Sequence, residues 1–129
     1  SNSVMAENLF VLSIYFGNTY YEEVVVEMLQ NIIPNIDYPS AFSNWMNVFL
    51  NFSEQNKELA VLGVDAKKFC NEINKGYHPN IILAGSEKES VLPFLKDRFI
   101  EDKTLFYLCQ NRVCQLPSED FLSILSEVK

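Results

Sequence analysis

Two cysteines, Cys109 and Cys114, have the spacing of a pair that faces across a β-hairpin. The apolar run 104–109 predicts a strand, and Asn111–Arg112 fits a two-residue turn before a shorter second strand. In that register Cys109 lies opposite Cys114 at a non-hydrogen-bonded position, where the side chains of paired strands are closest. Such a pair could form a redox-sensitive disulfide bond.

A second interpretation of Cys109 and Cys114 is a pair of small buried thiols. The sequence begins without the basic segment and apolar core of a signal peptide, and we expect a cytoplasmic protein. Disulfide bonds are rare in that compartment. The compartment therefore favours reduced thiols, while the crosslink stays open as a redox-linked alternative.

Four residues of the chain are of the types that ligate zinc: Cys70, His78, Cys109 and Cys114. The gap between the last two is wider than in a usual zinc knuckle. Cys70 falls among apolar helical positions and His78 falls in a loop. We therefore expect a buried thiol, a solvated imidazole, no metal site and no cofactor.

Small and acidic residues follow two predicted parallel strands: Gly63, Asp65, Gly85, Ser86 and Glu87. Ligands of open α/β sheets bind at this edge. The glycines form no phosphate-binding fingerprint, and the acidic side chains would repel phosphate. We expect turn and capping residues here, and we assign no catalytic residue in the chain.

The composition narrows the class of protein. The chain has 129 residues, 48% of them hydrophobic, and a formal net charge of −7. The hydrophobic content is typical of a folded chain, and the acidic balance argues against nucleic acid as a partner. The apolar runs are far shorter than the roughly 20 residues of a membrane span, so we expect no membrane partner.

Residues 1–57 predict a helical segment with six acids and one base. The first helix has Ser3 as its candidate N-cap and Gly17 at its C′ position, and it is apolar almost all round. Thr19 and Glu22 have the spacing of a capping box for the second helix.

A third helix is predicted to begin near Pro39, because proline suits the first helical turn. Large apolar side chains recur along it at helical spacing and are expected in the core: Phe42, Trp45, Met46, Phe49 and Phe52. The first and third helices carry more apolar surface than a small free-standing domain can bury. We expect part of that surface to be exposed.

Residues 58–129 predict a small α/β domain. Buried strands over 59–62 and 81–84 flank a helix that Asp65 could cap, which is the pattern of a βαβ unit with parallel strands. The predicted fold class is mixed, α+β or α/β: N-terminal helices, then a βαβ-containing domain with a C-terminal hairpin and helix.

Two further helical segments are predicted in this part of the chain. One surrounds 91–99, and the other begins at Ser118 and Asp120. The apolar stripe of the last helix comprises Phe121, Leu122, Ile124, Leu125 and Val128.

Two stretches of the sequence resemble a known protein family. The first is residues 2–9, Asn-Ser-Val-Met-Ala-Glu-Asn-Leu, with Gly17 and Tyr21 after it. The second is the tail, in which 59–63, 79–84, 92–95 and 107–117 are successive segments, the last with the pattern Tyr-x-Cys-x-Asn-x-x-Cys-x-x-Pro. In order and spacing these segments are similar to the C-terminal region of the thioredoxin-domain-containing YyaL-like, spermatogenesis-associated family. The resemblance covers nearly the whole chain.

The resemblance implies a larger parent protein. Residues 1–57 would be the last helices of an α/α toroid like those of sugar epimerases and six-hairpin glycosidases, and 58–129 a C-terminal α/β appendage. The implied partners are the rest of the parent chain, namely the remaining toroid and a thioredoxin-like domain, and the isolated region could self-associate. We therefore expect a non-catalytic structural or interaction region. The alternative is a contribution to a carbohydrate-epimerase-like or thiol-redox site.

The resemblance also suggests cavity-facing residues in the first helix: Asn2, Ser3, Glu7 and Asn8. In an intact toroid these polar side chains could contact a sugar-like ligand. The alternative is an ordinary N-cap followed by a solvated first turn.

Overall fold

The computed structural model describes residues 2–53 and 56–128. These residues form five α-helices and a four-stranded mixed sheet. The chain divides into two units, an N-terminal unit Ser1–Ser53 and a C-terminal unit Glu54–Lys129. None of the helices in the described part has the length and apolar character needed to cross a membrane.

The N-terminal unit is entirely helical in its regular structure. It contains α1 (Asn2–Phe16), α2 (Thr19–Ile32), α3 (Ser43–Leu50) and two 3₁₀ turns (Ile33–Asn35 and Pro39–Phe42). Its buried apolar side chains come from all three α-helices: Ala6, Phe10, Ile14, Val25, Leu29 and Val48. The rings of Phe10 and Phe52 pack edge to face, with centroids 5.1 Å apart.

The junction between α1 and α2 is set by Gly17. Its φ of +59° is in the left-handed region that favours glycine. The N–H groups of Gly17 and Asn18 donate to the carbonyls of Ile14 and Ser13, at 3.3 and 2.9 Å, which closes a Schellman motif. The predicted C′ role of Gly17 is confirmed.

Both predicted N-caps in this unit are wrong. Ser3 lies inside α1 and is buried, because the helix already begins at Asn2. The cap of α2 is Asn18, whose extended backbone lets its Oδ1 accept from the N–H of Tyr20 at 3.0 Å. Thr19 is therefore the first helical residue rather than part of a capping box.

The predicted stripe of the third helix is only partly correct. Val48 is buried, while Phe49 is exposed. The predicted stripe assumed a continuous α-helix from Pro39. The structure instead has a 3₁₀ turn up to Phe42, so Phe42 lies outside α3, and the fully buried position within α3 is Val48 rather than Phe49.

The C-terminal unit is built on a sheet with strand order β2-β1-β3-β4. The strands are β1 (Lys57–Gly63), β2 (Ile81–Ser86), β3 (Thr104–Gln110) and β4 (Val113–Cys114), and the helices are α4 (Ala66–Asn74) and α5 (Phe121–Val128). β1 pairs in parallel with β2 and antiparallel with β3, which confirms the predicted parallel pair.

The core of this unit lies between the sheet and the two helices. It comprises Leu59, Val61, Ala66, Ile73, Phe106, Leu108, Ile124 and Val128. Phe106 contacts the rings of Phe69 and Phe121, at centroid distances of 5.2 and 5.7 Å. In α5, Leu122 is 75% exposed, so the predicted stripe is too wide at that position.

Two local predictions for the C-terminal unit need correction. Asp65 is the N-cap residue of α4, as predicted, but its side chain makes no capping hydrogen bond; its backbone N–H donates to Thr104 Oγ1 at 3.1 Å. The segment 91–99 contains a short turn instead of a helix, in which the Leu92 carbonyl accepts from the N–H groups of Leu95 and Lys96. Asp97, at φ +61°, leaves the helical conformation and ends the turn.

Candidate redox-active cysteine pair

The β3–β4 hairpin places Cys109 directly opposite Cys114. Asn111 and Arg112 both have positive φ, 50° and 64°, as the central residues of a type I′ turn require. The predicted turn and register are confirmed. The two Cα atoms are 3.9 Å apart and the sulfurs form a disulfide bond. The structure therefore holds the crosslinked pair, not the reduced thiols that the expected compartment favoured.

The two cysteines of the pair differ in their exposure to solvent. Cys109 is 2% exposed, whereas Cys114 lies on an exposed strand. A cleft of about 390 Å³ adjoins them and is lined by Lys57, Leu108, Gln110, Asn111, Val113 and Gln115 as well as the cysteines. A thiol reagent in this cleft therefore reaches Cys114 first.

The guanidinium group of Arg98 lies beside both sulfurs. Its two terminal nitrogens are 3.9 Å from Cys109 Sγ and 3.4 Å from Cys114 Sγ. Its central carbon is 5.6 Å from the ring centre of Phe94 and 5.2 Å from that of Tyr107, within cation–π range. The side chain is thus held between two rings with its charge toward the disulfide.

The backbone around Arg98 is also held in place. The Tyr107 hydroxyl donates to the Arg98 carbonyl at 2.7 Å, and the Asp97 N–H donates to Glu89 Oε1 at 2.9 Å. These contacts connect the loop before β3 to the strand that carries Cys109.

Two further ionisable groups lie near the pair. Burial raises the pKa of Tyr107, and the positive charge of Arg98 opposes that rise. On β1, Glu58 is the register partner of Cys109 and is buried. Arg98 therefore supplies the positive charge that favours a thiolate when the bond is open.

The sequence did not single out Arg98. It is distant from Cys114 along the chain, and no motif connects them. A basic residue close to Phe94 in sequence was the only available signal, and such pairs are common on protein surfaces. The approach of Arg98 to the sulfurs depends on the turn that replaced the predicted helix.

Cys70 and His78 lie away from the disulfide, and neither lines its cleft. Cys70 is partly buried on α4, facing Gly85, and burial raises its pKa. His78 was predicted to be solvated, but its Nδ1 is buried and has no hydrogen-bond partner within the described residues. Nor do the described His, Cys, Asp and Glu residues form any group of three that could hold a metal.

The residues that follow the two parallel strands do not form one site. Gly85, Ser86 and Glu87 line a second cleft of about 380 Å³ with residues of α4, while Gly63 and Asp65 do not line it. At Gly85, an added Cβ would lie 2.7 Å from Cys70 Sγ, so close helix–strand packing explains this glycine.

The four polar residues of α1 have different environments. Asn2 and Asn8 are exposed, Ser3 is buried, and Glu7 accepts a hydrogen bond from Asn51 Nδ2 at 2.8 Å. Glu7 thereby fixes the end of α3 to α1. Successive residues of a helix are about 100° apart, so the four side chains do not converge on one face.

Comparison of the chain with protein-family models, curated proteins and solved structures finds no match.

Proposed function

We propose that this chain is a non-catalytic interaction region whose first helix packs against other helices of a larger protein. One observation carries the proposal: α1 exposes large apolar side chains along one face. Met5 and Phe16 are 55% and 52% exposed, and Leu12 is also exposed. With the partly buried Leu9 they recur at i, i+4, i+7 and i+11, which is one helical face. We call these four residues the α1 stripe.

The other side of α1 faces the core of its own unit and is rich in small residues. Ser3, Ala6 and Ser13 are buried there. Small side chains let a neighbouring helix approach closely but supply little apolar area. Fully burying one exposed Leu or Phe stabilises a structure by about 1.5–3 kcal/mol. Because the residues of the α1 stripe are already about half buried or more, together they offer a partner about one to two times that amount.

The partner that we propose is the rest of a cytoplasmic parent chain: the remaining helices of an α/α toroid and a thioredoxin-like domain. Support comes from the resemblance of residues 2–9 and 107–117 to the YyaL-like family, together with the α1 stripe. Residues 1–57 would supply the last toroid helices, and 58–129 the α/β appendage. Without that partner, the isolated chain should self-associate through the stripe.

Dye binding and chromatography test the role of the α1 stripe. The double variant Leu12→Glu/Phe16→Glu should lose most of the binding of a hydrophobic fluorescent dye and elute as a monomer. A matched control, Leu116→Glu/Leu122→Glu, changes two exposed leucines of the C-terminal unit and should behave as wild type. A wild-type chain that is monomeric and binds no dye would contradict the proposal.

The size of the endogenous protein tests whether a parent chain exists. An antibody raised against this segment should detect a band several times heavier than 14.9 kDa in lysate of the source cells. A band at 14.9 kDa itself would contradict the toroid proposal.

A redox-responsive module is the second candidate function. The disulfide between Cys109 and Cys114, with Arg98 beside both sulfurs, favours it. Thiol counting on the native protein should give one thiol, that of Cys70, under oxidising conditions and three under reducing conditions. Three thiols under both conditions would remove this candidate.

A carbohydrate site on α1 has less support than either candidate. It would require Asn2, Ser3, Glu7 and Asn8 to face one ligand, and Ser3 is buried while Glu7 is bonded to Asn51. In the intact protein, unchanged sugar binding after Asn2→Ala and Glu7→Gln would eliminate this possibility.

A further inference from the structure

The two cysteines of the Cys109–Cys114 bond differ in solvent exposure, and the guanidinium group of Arg98 contacts both sulfurs. We infer that thiol–disulfide exchange at this pair begins at Cys114, and that the guanidinium group of Arg98 stabilises the departing Cys109 thiolate. The inference rests on the redox role proposed above for the pair. It adds the order of the reaction, the chemical class of the reactant and the group that assists it.

Access determines which sulfur is attacked. An attacking thiolate must approach a sulfur from the side opposite the S–S bond. Both cysteines line the cleft, but Cys114 lies on the exposed strand β4, whereas Cys109 is only 2% exposed. A small peptide thiol such as glutathione should therefore attack Cys114 in preference to Cys109.

The reaction balances with two such thiols. The first thiolate forms a bond to Cys114 Sγ, and the Cys114–Cys109 bond breaks with its electron pair on Cys109. A second thiolate then attacks the small-molecule sulfur of the mixed disulfide and releases Cys114 as a thiolate. The protein gains two electrons, the two thiols lose them as a small-molecule disulfide, and the protons of the thiols pass to the two cysteines.

Arg98 is placed to assist the first step. One guanidinium nitrogen is 3.9 Å from the sulfur that departs, and the rings of Phe94 and Tyr107 hold the group there. A positive charge at this range stabilises a thiolate, and a thiol that ionises more easily leaves faster.

The first experiment locates the adduct. Oxidised protein is treated with reduced glutathione, quenched with acid and mapped by mass spectrometry, and the mixed disulfide is expected on Cys114. In single variants treated with glutathione disulfide, Cys109→Ser should be modified readily at Cys114, and Cys114→Ser only slowly at Cys109. A mixed disulfide mainly on Cys109 would overturn the inference.

The second experiment tests Arg98 against a matched control. Arg98→Met should slow reduction by glutathione about tenfold, since an opposite charge at this range shifts thiol ionisation by one unit or more. Arg98→Lys should recover part of the rate, and Arg112→Met, which removes the same charge from the turn, should react as wild type. Equal rates for Arg98→Met and Arg112→Met would overturn the role of Arg98.

A pH profile separates an electrostatic role from a merely structural one. In the Cys114→Ser background, Arg98→Met should raise the pH midpoint of the slow alkylation of Cys109, and Arg98→Lys should restore it. An unmoved midpoint refutes the charge argument. If reduced glutathione does not open the Cys109–Cys114 bond and glutathione disulfide does not re-form it, the redox role and this inference both fail. If the pair cycles with the adduct on Cys109 or without dependence on Arg98, only this inference fails.

Discussion

Reduction of the Cys109–Cys114 bond should destabilise the C-terminal unit by about 2 kcal/mol. The bond closes a loop with a sequence separation of 5. In the chain-entropy description, a loop this short restricts the unfolded chain by about 2 kcal/mol at 25 °C. The estimate depends only on loop length, so it applies to any reductant that opens the bond.

Native-state hydrogen exchange of β1 and β3 measures this change within the C-terminal unit. After complete reduction by a phosphine, the slowest amides of Leu59 to Leu62 should exchange about thirtyfold faster, because 1.4 kcal/mol corresponds to a factor of ten. β1 is the strand to examine, since it pairs on both sides and its residues 59–62 are fully buried.

The double variant Cys109→Ser/Cys114→Ser is the control for this prediction. Its amides should exchange at the rate of the reduced wild-type protein, and the phosphine should not change that rate. Unchanged exchange of the wild-type protein after thiol counting shows full reduction would refute the loop-entropy reasoning. So would an equal response of the double variant, because the reductant would then be acting elsewhere.

Three further changes should have measurable effects. Phe106→Ala should destabilise the C-terminal unit by about 3–5 kcal/mol in urea unfolding, because a buried ring that contacts two other rings is lost. The control Tyr77→Ala changes an exposed ring and should have little effect. Similar losses of stability in the two variants would argue against this core. Gly17→Ala should lower the free energy of unfolding of the N-terminal unit, followed by its helical circular dichroism, by about 1 kcal/mol, because a φ of +59° strains any residue with a side chain. An unchanged free energy would contradict the left-handed junction. Burial raises the pKa of Cys70 above its ordinary 9.0, so above that pH the folded state keeps a proton that the unfolded state releases. The free energy of unfolding should therefore fall as the pH rises above 9.0. Cys70→Ala should flatten that decline, and a variant with the same pH profile as wild type would contradict the prediction.

The hairpin was predictable because its information is local. Asn111–Arg112 between two apolar runs sets a two-residue turn, and the turn fixes the register that places Cys109 opposite Cys114. The parallel β1–β2 pair was predictable for a similar reason, since strand–helix–strand spacing admits few arrangements. In both cases the geometry of neighbouring residues determines the strand pairing, and contacts with distant residues have little influence on it.

Capping and helix phase were predicted less well, because alternatives one residue apart are close in energy. Asn18 and Thr19 are both good N-caps, and the left-handed Gly17 decided between them by leaving Asn18 extended. The segment 91–99 has apolar spacing compatible with a helix, but hydrogen bonds and ring contacts with β3 favour a turn. Tertiary contacts override weak helix propensity in such a short segment.

The sequence by itself determined the mixed α and β composition of the chain, the parallel strand pair and the pairing of the two cysteines, because each depends on spacing along the chain. The exposed apolar surface of α1 was also predicted from the sequence. Only the tertiary structure decided which residues form that exposed face, that Cys109 is buried while Cys114 is exposed, and that Arg98 contacts both sulfurs. These features depend on which surfaces pack together. Packing brings together residues that are far apart in sequence, and the spacing of residues along the chain does not predict such contacts.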